Sequence, residues 1–426
     1  MKYDVIIVGA GAAGLMAMKY LLDAGCSVCM LEAAGMPGGR MITVSEPGFD
    51  GPVETGAEFV HGDLPLTLAL LDEAGVPYTP VDGKMIMVEN ERGKKSELHD
   101  KHWEACMQAL DELSTDMTIA AFLQTYFPGP EYESLRRSVQ HYAEGYDLAD
   151  INRASARAAG HEWNQVAENQ YRVTGGYSQL VDYLAAKCAR ENAGIHYDSA
   201  VTHIHYKEDY VRVETINQVQ FIASKLLLTV SAGVLKSGAI TFVPALEARY
   251  RLAIGQLGFG TVIKVLLQFK KPFWKRNDIE TGFILSDEAI PTWWTQFPAD
   301  SNLLTGWLGG PPSIDRSGDT DEVLLASALT SLSAIFHLTV DELRNELQHH
   351  KIICWHRHAH VKGGYSFITV DTSNARKVLW QPAGNAIFFA GEALYAGASQ
   401  GTVEAALQSG REAASAVINM LQENRE

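Results

Sequence analysis

The apolar positions along this chain change their period several times. Val5-Ile-Ile-Val8 is a continuous apolar run closed by glycine, and residues 4–8 predict a buried strand. A helical stretch follows, and Ser27-Val-Cys-Met-Leu31 predicts a second strand. From about residue 78 to 172 the pattern is helical and polar, with residues 102–113 and 131–142 amphipathic. Val173-Thr-Gly-Gly-Tyr-Ser is a glycine turn into a further helix. Strand patterns return at residues 195–197, 200–205, 211–215 and 225–230. Near the end, residues 385–391 read as a strand, a helix begins near Thr402, and residues 417–426 read as polar helix. Strand–helix units at both ends, with insertions between them, predict an α/β fold. It is a Rossmann-type domain interleaved with a mixed α+β second domain.

The turn after the first strand is Gly9-Ala-Gly11-Ala-Ala-Gly14, and Glu32 ends the second strand. Gly9 permits the tight turn, Gly11 lets the backbone approach a pyrophosphate, and Gly14 lets helix and strand pack closely. The free N–H groups and partial positive charge of the helix start favour phosphates. Glu32 is suited to accept hydrogen bonds from a ribose diol. Framed by strand, helix, strand and acid, these glycines predict a bound adenine dinucleotide.

The next residues choose among dinucleotides. Ala33-Ala-Gly-Met-Pro-Gly38-Gly39-Arg40 sets a guanidinium beside the pyrophosphate, an extension nicotinamide dehydrogenases do not usually carry. Glu54-Thr-Gly56-Ala57-Glu58-Phe59-Val-His61-Gly62 continues the pattern. Together these segments resemble the FAD-dependent amine oxidase family, in which the second lies beside the flavin ring. The resemblance covers nearly the whole chain but is specific only in the flavin-contacting segments. It implies a discontinuous FAD-binding domain from residues 1–77, 173–246 and 380–426, and a substrate-binding domain from 78–172 and 247–379. It implies that Val201 meets the adenine through its backbone. It puts Gly391-Glu392 by the pyrophosphate and ribityl chain, and aims the helix behind Gly401-Thr402-Val403 at the flavin pyrimidine. A helix start there supplies about half a positive charge to reduced flavin.

Lys264 stands inside an otherwise apolar strand, where a lysine is costly unless paired or functional. The family pattern implies that it holds a water near flavin N5; the alternative is a lysine that snorkels to solvent. Val361-Lys-Gly-Gly-Tyr365 resembles the stretch that sets an aromatic ring against the amine. The position opposite is a second tyrosine in monoamine oxidases and is Thr402 here, so the two-ring cage is incomplete. Tyr395, Trp355 and Trp294 are candidates for the missing wall, which would leave room for a bulkier or secondary amine. The aromatic residues of the second insertion otherwise read mostly as core. No cysteine sits beside Tyr365, so FAD is expected to be non-covalent. His61 reads as a structural neighbour of the flavin rather than a catalytic acid.

Charge and cysteine usage narrow the setting. The net charge of -16 argues against nucleic acid. No apolar run approaches a membrane span, and no signal peptide is expected ahead of the first strand. Five scattered cysteines imply reduced thiols and a cytoplasmic protein, monomeric or homodimeric. His203-x-His205 and His356-x-His358-x-His360 alternate along strand-like runs and read as solvated faces, not metal sites. The resemblance implies hydride transfer from the α-carbon of a small amine to FAD, hydrolysis of the imine, and reoxidation by O2 to H2O2. The alternatives are a C–C desaturase or protoporphyrinogen-type oxidase of the same superfamily, and a flavin-binding protein with little turnover.

Overall fold

The computed structural model describes residues 2–88, 101–164, 169–275, 280–397 and 399–423. The central strand Lys2–Val8 lies between Val28–Leu31 and Gln220–Leu228, parallel to both. Ala193–His196 extends the sheet beyond Val28–Leu31, and Ile387–Phe389 pairs parallel to Gln220–Leu228. The antiparallel strands Val201–Lys207 and Tyr210–Thr215 complete the other side, with Thr241–Val243 at the edge. Continuous apolar sequence suits these strands because both faces are covered. Val5 and Ile7 pack against the helices Ala12–Asp23, Ser178–Cys188 and Val403–Glu423. Ile6 and Val8 pack on the opposite side with residues of Ala248–Gln256 and Thr372–Leu379.

The first and last long helices lie against each other, which brings the chain's two ends to one place. Gly410 makes this approach possible: a Cβ there would sit 2.1 Å from the Ala13 carbonyl oxygen. The polar terminal helix expected at 417–426 is the end of this longer helix. Val417 and Leu421 are buried in it, so it is not polar all round; residues 424–426 lie outside the described residues.

A second sheet of six strands runs in the order Leu347–Cys354, Val262–Phe269, Leu303–Gly309, Thr292–Thr295, Thr281–Leu285, Lys84–Met87. Val262–Phe269 is buried at every position, and one face of the sheet is covered by Asp321–Phe336. Lys84–Met87 comes from the first insertion, so both insertions build one sheet. Helices Trp103–Asp111, Ile119–Tyr126, Glu133–Tyr146 and Ala156–Trp163 form a separate apolar cluster. The strand expected through His356 to His360 ends at Cys354; Trp355–Arg357 is a single 3-10 turn, and the alternation is not a strand face. All five cysteines are free and four are buried. Among the described residues, no single helix is long and apolar enough to cross a membrane, and no cluster of His, Cys, Asp and Glu is arranged to hold a metal.

Candidate active site

Val8, Leu31 and Leu228 lie in register at the carboxyl ends of the central strands. A cavity of about 1110 Å³ opens there and continues to the second sheet. Such sheets bind ligands at this edge, because strand ends and helix starts leave backbone groups free. Gly9, Gly11 and Glu32 line one end with Gly39, Arg40 and Val201. Gly391, Glu392, Gly401, Thr402 and Val403 line it from the far end of the chain. Gly14 does not line it. A Cβ on Gly14 would lie 2.0 Å from the Gly9 carbonyl oxygen, so its role is to let the helix sit on the turn itself.

The surroundings of Gly11 fit a diphosphate. It starts the helix Ala12–Asp23 with no side-chain cap, and a Cβ there would have nothing nearer than 4.0 Å. Amides and open space are thus both present, with the Arg40 guanidinium on the same cavity. Arg40 Nη1 donates to Glu392 Oε1 at 2.8 Å and to the Gly364 carbonyl at 2.6 Å. The two segments expected at the pyrophosphate are therefore joined by an ion pair. The Glu32 carboxylate accepts the N–H groups of Ala10 at 2.6 Å and Ala34 at 2.9 Å, which fixes it at the strand end.

At the other end lie Gly56, Ala57, Glu58, Phe59 and Lys264. Gly56 is required by the close approach of the Arg40 carbonyl, 1.9 Å from where a Cβ would be. Lys264 does not snorkel to solvent: it is 0% exposed. Its ammonium donates to Glu58 Oε2 at 2.8 Å and to the Gly56 carbonyl at 3.2 Å, and lies 5.6 Å from the centre of the Trp294 ring. Burial pushes the Glu58 carboxyl up, but Lys264 and Arg172 outweigh it and hold it down at about 2.

Aromatic side chains wall the remaining space. Tyr365 is fixed by its hydroxyl, which donates to the Tyr146 carbonyl at 2.5 Å. Its ring stacks on Trp307 at 6.4 Å, and Trp307 meets Trp294 at 5.6 Å. Of the expected wall candidates, Trp294 and Trp355 line the cavity and Tyr395 does not. Trp307, read as core from the sequence, lines it too. Thr402 lines the cavity and also caps the helix behind it: its hydroxyl donates to the Ser399 carbonyl and accepts the Ala405 N–H. Two carboxyls, Asp147 and Glu162, share the cavity lining with Tyr365. Burial raises both; Glu162 raises Asp147 further, and both raise Tyr365.

The sequence profile of flavin-containing amine oxidoreductases matches residues 12–127 and 104–418. The chain belongs to that family. The chain is 26% identical over 425 residues to lysine-specific histone demethylase 1B of Mus musculus, covering 92% of this chain and 50% of that protein. It is 30% identical over 305 residues to polyamine oxidase 2 of Arabidopsis thaliana, covering 64% of this chain and 60% of that one. The chain thus spans about half the length of the demethylases it resembles. Wild-type putrescine oxidase bound to putrescine shares its fold with a TM-score of 0.82 at 20% identity, covering 98% of this chain and 99% of that one. Cyclohexylamine oxidase from Brevibacterium oxydans does so at 0.80 and 22%, covering 99% and 100%.

Several residues of the site carry no motif. Trp307, Asp147 and Glu162, which line the cavity, and Arg172, which holds Glu58 from behind, come from segments that read only as core or polar helix. The one local signal is Tyr142-Ala-Glu-Gly-Tyr146-Asp147, where aromatic and acidic residues crowd the end of a helix. His61 lines the cavity with its Nδ1 unpartnered, and burial lowers its pKa to about 4. The folded ring is then neutral where the unfolded ring, near 6.5, is charged. Stability is expected to be lost as pH falls from about 6.5 towards 4, because the unfolded chain binds the extra proton. Urea midpoints across that window check this: His61→Phe should flatten the wild-type fall, and an unchanged fall would remove His61 as its source.

Proposed function

We propose that this flavoprotein oxidises a small amine carrying a second cationic group, with FAD held non-covalently and O2 as acceptor. One observation carries the reading. A run of aromatic rings (Trp294, Trp307, Tyr365) lines the cavity, with buried Lys264 beside its Trp294 end and Asp147 and Glu162 acting on its Tyr365 end. Bound in this cavity, FAD would supply the acceptor for a hydride from the amine's α-carbon. The amine must be neutral there to give it up. A free alkyl amine is neutral in roughly one molecule per two thousand at pH 7. The apolar rings favour the neutral form by desolvation; the Asp147–Glu162 pair, raised by burial, would give up a proton only against a cation, and so favours a charged group at the far end. Lys264 keeps one N–H beyond its two protein partners for a water at the reacting end. Hydrolysis of the imine gives an aldehyde and ammonia or a smaller amine. The putrescine oxidase and polyamine oxidase likenesses support a substrate with two or more amines.

The test is an anaerobic visible spectrum before and after pooled mono-, di- and polyamines. Bleaching of the flavin bands by diamines supports the reading. A yellow protein that stays yellow would favour C–C oxidation or a protein with little turnover, and a colourless one would refute the cofactor. Asp147→Asn is expected to raise KM for a diamine by about tenfold, since about 1.4 kcal/mol of lost ion pairing is one decade. Steady-state rates with a matched monoamine should change little; an equal rise for both would remove Asp147 from recognition of the second cation.

A further inference from the structure

We propose that Glu58 is a positioning residue for Lys264: its carboxylate keeps the ammonium charged and turned so that one N–H is free for the cavity. The proposal rests on the amine oxidase reading of the site, and it takes Glu58 out of direct cofactor contact. Glu58 is 6% exposed and its oxygens divide their partners. Oε2 takes only the Lys264 ammonium. Oε1 takes Trp294 Nε1 at 2.9 Å and Arg172 Nη2 at 3.1 Å, with Arg172 Nε at 3.3 Å and Gln296 Nε2 at 3.4 Å. Arg172 is itself held by the carbonyls of Phe297 and Thr295 and lies over the Phe59 ring. A carboxylate gripped by four side chains is a rigid anchor, and among the described residues it is the ion-pair partner of both Lys264 and Arg172.

The other ionisable groups near Lys264 do not substitute. Glu54 turns both oxygens away, to the Tyr177 N–H and the Thr43 hydroxyl. His61 is held neutral by burial, and Arg172 carries the same sign as the lysine. A lysine buried without a counter-charge sheds its proton. With Glu58 present, Nζ has two fixed acceptors, Glu58 Oε2 and the Gly56 carbonyl, so the direction of its third N–H is set by geometry rather than by solvent.

The experiment is the melting temperature of the flavin-loaded protein between about pH 7 and 10, read beside the anaerobic rate of flavin reduction by a diamine. Glu58→Gln should melt higher as pH rises, because the unfolded chain then binds a proton that the folded chain does not. Lys236, lowered to about 8 by burial, adds a rise common to all forms, so the excess slope over wild type is read; it should vanish in Glu58→Gln/Lys264→Met, which lacks the Lys264 ammonium, and in Glu58→Asp, which keeps the carboxylate. Glu58→Gln should slow flavin reduction about tenfold with Lys264 present and add nothing in the Lys264→Met background, as expected of residues acting as a unit. A Glu58→Gln profile parallel to wild type, or equal slowing in both backgrounds, would overturn the proposal. If Glu58→Gln does not fold, Glu58→Asp in the two backgrounds decides the same question by rate. A wild-type protein without flavin would refute the amine oxidase reading, yet the melting profiles would still decide the coupling.

Discussion

Lys264→Met is expected to keep the flavin bound while slowing its reduction or its reoxidation by at least ~100-fold, the low end for a positioned proton-transfer group. Methionine matches the stem of the lysine in length and apolar character, so the buried strand keeps its packing. Glu58 is not orphaned by the change, because Arg172, Trp294 and Gln296 still donate to it. The variant therefore removes one ammonium and little else, which makes a rate loss interpretable. Anaerobic stopped-flow mixing with amine, followed by mixing with oxygen, separates the two halves of the cycle. Unchanged rates in both would take Lys264 out of the chemistry. Loss of the visible bands would instead make it a determinant of flavin binding.

Arg40→Ala is expected to cost both stability and flavin. Glu392 has a side chain only 4% exposed and in this variant loses its one ion pair among the described residues, with the nearby Arg376 charge left acting on it. Breaking a buried pair from one side typically costs ~3–5 kcal/mol. Here Arg40 is 27% exposed and Glu392 keeps the Ser366 hydroxyl, so about 2–3 kcal/mol is expected. The loss also unties the first forty residues from the carboxyl-terminal segment, the two walls of the proposed diphosphate site. Urea unfolding of the flavin-free protein reads the stability term, and the ratio of visible to ultraviolet absorbance reads flavin retention. Arg40→Lys should recover part of the stability, since the charge returns without the guanidinium's geometry. A variant with wild-type midpoint and full flavin content would show that the pair is incidental.

The boundary between what was readable and what was not follows the range of the interactions. Gly9, Gly11 and Gly14 were legible because a tight turn, an open approach and a close contact each demand glycine within a few residues. Lys264 was legible as an anomaly, since an ammonium in a fully apolar strand demands an explanation wherever it folds. Thr402 was legible as a site position because its neighbourhood in sequence matches a site segment, but that its hydroxyl also serves the local helix end was not. Trp307 reads as core because every large aromatic in an apolar run does.

The sequence alone determined the α/β class, the glycine turn, the family and the candidate lysine, because each depends on local backbone demands or on burial that any fold must respect. Only the tertiary structure decided that Glu58 faces Lys264, that Arg40 closes on Glu392, and that Asp147 and Glu162 look into the same cavity as Tyr365. These pairings join residues up to 352 positions apart. Side-chain charge carries no address of its partner, and only the packing of two sheets and two chain ends brings the partners within hydrogen-bond range.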